Sequence, residues 1–170
     1  FVFNGPKDYQ LIGESTADFL DEGIFLSIGR IYENFTRAMD LRPNSDEGKV
    51  EALAAFGKAD KDLLQQLKSA THVDKNDLSI NFEIIKIRPF YDLDWLKVQR
   101  SRVGDENFCA SVQTYLEDTI VTYLNFVYEK YPISNLCLSG GVTANIIMSL
   151  NIYERTPFKN IYVLPSMADD

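Results

Sequence analysis

The chain has 170 residues, 45% hydrophobic and 12% aromatic, and its 17 Lys and Arg against 25 Asp and Glu give a formal charge of −8. That suits one domain with a real core. It excludes a protein that coats nucleic acid, which needs clustered cations, and no apolar run approaches the ~20 residues of a membrane-spanning helix. Cys109 and Cys137 lie in apolar stretches without metal-ligand spacing, so both are expected to be buried, reduced thiols in a cytoplasmic protein. The chain runs from Phe1, with no initiator Met or signal peptide, to Asp169–Asp170, and is expected to be a piece cut from a longer one.

Short apolar runs at Phe1–Phe3 and Tyr9–Ile12 flank Gly5–Pro6 and predict a hairpin. From Glu22 to Asp40, Ile24, Ile28, Ile31, Phe35 and Ala38 recur at helical spacing. A second row, Phe25, Tyr32 and Met39, implies a helix covered on more than one face, with Pro43 as a stop beyond it. Ser45 to Lys49 offers a cap and first-turn acids for a helix through Val50, Leu53 and Ala54, with Gly57 at its end. Asp60 to Ala70 reads as a short amphipathic helix, and Ile80 to Ile87 as a strand. Phe90 to Gly104 carries Trp95 and many charges without a clear period.

Glu106 to Tyr131 predicts a long helix with Phe108, Val112, Tyr115, Leu116, Thr119, Tyr123 and Val127 on one side. Leu136–Leu138 then reads as a buried strand, Ser139–Gly140–Gly141 as a turn, and Val142, Ile146, Leu150 and Tyr153 as one helix face. Ile161–Leu164 is a second buried strand closed by Pro165. Strand, glycine turn, helix and strand make a βαβ unit with parallel strands, and the fold class is α/β with a large helical part.

Three places could hold chemistry. Glycines after a strand, as at Gly140 and Gly141, let a phosphate approach the backbone, and the next helix offers N–H groups to it; equally, a tight turn needs only small residues. Asp169 and Asp170 follow the second strand, where open α/β sheets place ligands, and a carboxylate there could take a cation; terminal acids are also commonly just solvated. Glu47 could accept from sugar hydroxyls and Lys49 could meet a phosphate, or both are ordinary helix-start residues. His72 is the sole histidine, in a polar stretch, and is expected to be idle, so no Ser/His/Asp or Cys/His nucleophile can be built.

Taken in order, several segments resemble the O-carbamoyltransferase family, which includes nodulation-factor and antibiotic carbamoyltransferases and the related tRNA threonylcarbamoyl-adenosine enzyme. Ser27–Ile28–Gly29–Arg30–Ile31–Tyr32 is similar to its S-x-G-x-x-Y helix. Glu47 to Gly57 resembles the EGK block, and Phe108 to Gln113 the start of the long helix. Leu136 to Asn145 is similar to the GGV-x-x-N turn, and Pro165 with Asp169–Asp170 to the P…GD-x-G segment. The resemblance implies an actin, heat-shock-chaperone and sugar-kinase type of ATPase fold, with two ribonuclease-H-like lobes closing on ATP. It implies that ATP and carbamoyl phosphate give a carbamoyl-adenylate whose carbamoyl group passes to a hydroxyl of a small acceptor. Gly140, Gly141 and Asn145 would then face the nucleotide, Glu47 the ribose with Lys49 beside it, and Asp169 a divalent metal, iron or magnesium.

Departures accompany the match. The family's H-x-x-x-H metal motif and first Asp-Gly phosphate loop are absent from these residues, and Glu51–Ala52 stands where Met–Gly is usual. The expectation is therefore an interior piece that is inactive by itself and needs an N-terminal lobe of the same protein. Residues 1–104 would be a mixed insertion region with the EGK block, and 105–170 the long helix and the βαβ start of the second lobe. Two other readings use the same turn. An ATP-pyrophosphatase loop would need Asp–Ser where Thr143–Ala144 stands, and a nucleotide-sensing or interaction module would keep the fold without catalysis.

Overall fold

The computed structural model describes residues 1–5, 7–13 and 25–165. Strands β1 (Val2–Gly5) and β2 (Asp8–Gln10) form the expected antiparallel hairpin, Phe3 opposite Tyr9. Helix α1 runs Ile28–Ala38, and its start is set by Ser27, whose hydroxyl accepts from Arg30 N–H at 3.1 Å. The earlier turn predicted from Glu22 lies largely outside the described residues. Both apolar rows of α1 are buried from Ile28 onward, while Phe25 is exposed. Even Glu33 is buried, held by Arg30 and Arg37 at 2.6 Å each.

Helix α2 (Glu47–Ala54) forms where expected. Its end is finished by N–H groups bonding three residues back, as Gly57 does to Ala54. Gly57 is required for a different reason from the predicted helix stop: a Cβ there would collide with the Glu106 carbonyl. Helix α3 (Lys61–Ser69) is capped by Asp60, which accepts from Leu63 N–H at 3.0 Å.

The predicted strand Ile80–Ile87 is corrected. Only its first half is extended, as β4 (Ser79–Phe82), paired antiparallel with β3 (Thr71–Asp74). Ile84–Ile87 turns into a helix, α4, followed by a 3₁₀ turn at Arg88–Tyr91. Sequence reading missed β3 because three of its four residues, Thr71, His72 and Asp74, are polar and the strand lies on a small two-stranded hairpin. It also left Phe90–Gly104 unassigned, where helix α5 (Leu93–Val103) starts on Asp92, whose side chain accepts from Asp94 and Trp95 N–H at 3.0 Å.

Gly104, at φ 86°, separates α5 from the 26-residue helix α6 (Asp105–Lys130). Arg100 braces this corner, meeting Asp105 at 2.8 Å, Asp40 at 2.8 Å and the Ala38 carbonyl at 3.0 Å. From Phe108 to Val112 α6 is buried all round, more than one predicted stripe, because α1, α2, α3 and α5 surround it. Phe35 stacks on Phe108 with ring centroids 4.4 Å apart, and Trp95 meets Phe90 edge-on at 5.2 Å. Each of the fully buried rings, Phe35, Phe90 and Phe108, is worth roughly 1.5–3 kcal/mol. One continuous cluster of buried side chains runs from Leu26 to Phe158.

Strands β5 (Asn135–Leu138) and β6 (Asn160–Val163) pair in parallel, Cys137 beside Tyr162, and helix α7 (Ile146–Arg155) connects them. The βαβ unit is as expected, with two corrections. Helix α7 begins at Ile146, not Val142, because Gly141–Ala144 first makes a 3₁₀ turn. The strands are also half-buried rather than buried: Leu136, Leu138 and Ile161 face the core, while Cys137 and Tyr162 are exposed. Cys109 is the buried thiol, its pKa pushed up to about 12 by burial. The described residues thus form a mixed, mainly helical α/β arrangement around α6. None of their helices is long and apolar enough to cross a membrane.

Candidate functional site

The glycine turn after β5 lies where three helices meet. Gly140 has φ 98° and ψ 163°, a region essentially reserved for glycine. A Cβ there would meet open space, so backbone conformation, not crowding, demands the glycine. Thr143 closes the turn, its hydroxyl donating to the Gly140 carbonyl at 2.6 Å. On one side, the start of α1 packs so closely that a Cβ on Gly29 would stand 3.3 Å from the Val142 methyl. The Ser27–Gly29–Tyr32 segment is therefore a neighbour of the turn.

Asn145 caps α7, its Oδ1 accepting from Met148 N–H at 2.8 Å. The same oxygen accepts from Gln113 Nε2 at 3.0 Å, and Asn145 Nδ2 donates to Gln113 Oε1 at 2.8 Å. Gln113 Oε1 also accepts from the Tyr32 hydroxyl at 2.8 Å, and its Nε2 donates to Glu117 Oε1 at 2.8 Å. Burial, then the negative charge of Glu51, pushes the Tyr32 phenol far up, so it stays a protonated donor. Burial likewise raises the Glu117 carboxyl.

Helix α2 brings the acids of the EGK block to the same region. Glu51 Oε1 accepts from Ile147 N–H at 2.8 Å. Glu47 Oε1 accepts from Asn44 N–H at 2.6 Å, and its charge also contributes to the raised Tyr32 pKa. Lys49 pairs with Asp46 at 2.9 Å with its side chain 60% exposed. Asp46 itself is buried, while the solvent-exposed ammonium end of the flexible Lys49 side chain can turn to another anion.

The structure thus brings Gly140, Gly141 and Asn145 together with Tyr32, Gln113, Glu117 and Glu51, and sets Glu47 and Lys49 on the adjoining helix. Two N–H groups of the first turn of α7, expected to be open, are engaged by Glu51 and Asn145. Sequence reading named Gln113 only as the end of the Phe108–Gln113 resemblance and passed over Glu117, whose signal was an amide and a carboxylate one helical turn apart on the long helix. Asp169 and Asp170 lie outside the described residues. Among the described residues no three His, Cys, Asp or Glu side chains come together to hold a metal ion. His72 sits exposed on the β3–β4 hairpin, 3.7 Å from Asp74.

Chemically, the arrangement is an exposed glycine backbone beside a fully paired amide–phenol network, flanked by acids and one displaceable lysine. It can receive a polar ligand on the turn and hydroxyl groups on the carboxylates.

The sequence profile of the family described as Carbamoyltransferase N-terminus matches residues 5–170. The uncharacterised protein MJ1058 of Methanocaldococcus jannaschii is 46% identical over 96% of this chain, and the uncharacterised protein sll1178 of Synechocystis is 29% identical over 84%. A tRNA N6-adenosine threonylcarbamoyltransferase of Streptococcus pneumoniae is 26% identical over 81% of this chain. The chain spans only 28%, 25% and 37% of those three proteins, respectively. With the family profile covering nearly all its residues, the chain belongs to the carbamoyltransferase N-terminus family.

Proposed function

We propose that the chain is the nucleotide-facing part of an ATP-dependent O-carbamoyltransferase that moves a carbamoyl group from carbamoyl phosphate, through a carbamoyl-adenylate, to a hydroxyl of a small acceptor. The observation that carries this reading is the convergence of the Gly140–Asn145 turn, Tyr32, Gln113 and the Glu47 helix in a chain of this family. In this reading the Gly140–Gly141 backbone receives phosphate oxygens, Glu47 accepts from ribose hydroxyls, and Lys49 leaves Asp46 to meet a phosphate. Tyr32 and Gln113 act indirectly, by fixing Asn145 and the turn.

Glu51 and Glu117 make the surroundings negative, so bound phosphates need a compensating cation. A divalent metal, iron or magnesium, would supply that charge neutralisation. The described residues do not provide a ligand set for it, and the proposed contribution of this chain is Asp169. The lobe would belong to an actin-like ATPase architecture in the cytoplasm, completed by another lobe of the same protein. Carbamoyl-phosphate-dependent exchange of labelled pyrophosphate into ATP by the full-length protein tests the reading. Exchange that requires carbamoyl phosphate and a divalent metal is expected. Its absence overturns the reading, while the 170 residues alone are expected to give none.

A further inference from the structure

The nucleotide reading uses Glu51 only for its charge and gives it no contact with the ligand. Glu51 lies on α2 one turn beyond Glu47, and its carboxylate accepts from the Ile147 N–H of α7, a bond at 2.8 Å across 96 positions of sequence. A carboxylate at a helix N-terminus is stabilised by the N–H group and by the positive end of the helix dipole. The turn is thus held from three sides. Gly29 of α1 packs on Val142, Gln113 of α6 pairs with Asn145, and Glu51 of α2 grips the first turn of α7. Of these three contacts, the Glu51 bond is the one that ties the turn to the helix carrying Glu47 and Lys49.

We propose that Glu51 is a positioning residue for the nucleotide: through Ile147 N–H it fixes the separation between the α2 acids and the phosphate-side turn. It rests on the nucleotide reading and adds to it a residue that touches α7 rather than the ligand. With the bond gone, each half of the site keeps its shape but the two no longer match a ligand spanning both. A ligand that engages the α2 half alone is indifferent to the change.

The test compares ATP with adenosine, whose binding does not involve the phosphate-side turn, by calorimetry on the full-length protein and its Glu51→Ala, Glu51→Gln and Glu51→Asp variants. Glu51→Ala is expected to weaken ATP roughly tenfold while changing adenosine less than about twofold, the size expected from loss of one charge-assisted hydrogen bond. Glu51→Gln retains an acceptor oxygen and is expected to keep the ATP-to-adenosine affinity ratio within about threefold of the natural protein. Glu51→Asp, one methylene shorter, is expected to lower that ratio and carries the comparison should alanine unfold the chain. A ratio unchanged in both Glu51→Ala and Glu51→Asp, whether both affinities fall together or neither falls, overturns the positioning role. A natural protein that binds neither ATP nor adenosine overturns the nucleotide reading and this inference with it, which separates the two failures.

Discussion

Gln113 is a carboxamide with two polar atoms and three side-chain partners, and the chemistry of those partners leaves it one orientation. Glu117 is a carboxylate and accepts, so the nitrogen of Gln113 faces it; Met148 N–H donates, so the oxygen of Asn145 faces that. The two amides then pair reciprocally, and Tyr32 must donate to Gln113 Oε1. Among the described residues no buried side-chain nitrogen or oxygen lacks a partner, which is the condition under which a buried polar network fixes a structure rather than weakening it. Glu117 is the strained member. Burial raises its pKa above the ordinary carboxylate value, although Gln113 and Arg155 oppose the shift. A carboxyl with a raised folded pKa is held most favourably when protonated, so its ionisation lowers stability as pH rises from the unfolded value, about 4.3, through the folded one. Glu117→Gln keeps the acceptor and removes the charge. It should raise the unfolding midpoint at pH 7, with the gain disappearing below about pH 4, and a lower midpoint at pH 7 would contradict the electrostatic account.

At the scale of elements, the turn after β5 is the part most open to a direct challenge. Gly140 faces open space and is constrained by its dihedrals alone. Gly140→Ala is therefore expected to cost about 1–3 kcal/mol in urea unfolding, from backbone strain without any clash. No loss would mean that the turn does not hold this conformation. Elements with a strong local signal were legible in the sequence: apolar spacing gives α1 and α3, whose starts the structure sets at the Ser27 and Asp60 caps, and the glycines with the flanking apolar runs give the parallel β5–α7–β6 unit. Others were not. The run Phe82 to Ile87 looks extended by composition, yet it leaves β4 at Glu83 and coils, so that Ile87 and Phe90 reach the core. Tertiary burial overrides β-propensity there. The late start of α7 was hidden because Val142 fits the helical period, and only the cap at Asn145 marks the true first turn.

For the molecule as a whole, α6 is the organising feature. It carries Phe108 and Tyr115 into the core, and on the same rod Gln113 and Glu117 toward the turn. Core and site therefore share one support, which explains how motifs far apart in sequence come within hydrogen-bond distance. Gly140, Gly141, Asn145, Glu47 and Lys49 stand out in the sequence because each sits in a motif, and their contact with a nucleotide is the proposal. Gln113 appeared only as the end of a matched segment and Glu51 only as a departure from one, since their contacts reach across 32 and 96 positions. The proposed account stands or falls on whether ATP meets this face of the molecule. Titrating the ¹⁵N-labelled chain with ATP and following backbone amides measures that directly. The account predicts shifts concentrated at Gly140, Gly141 and Asn145 and at Glu47 to Lys49. Shifts confined to distant elements such as the β3–β4 hairpin around His72 would contradict it.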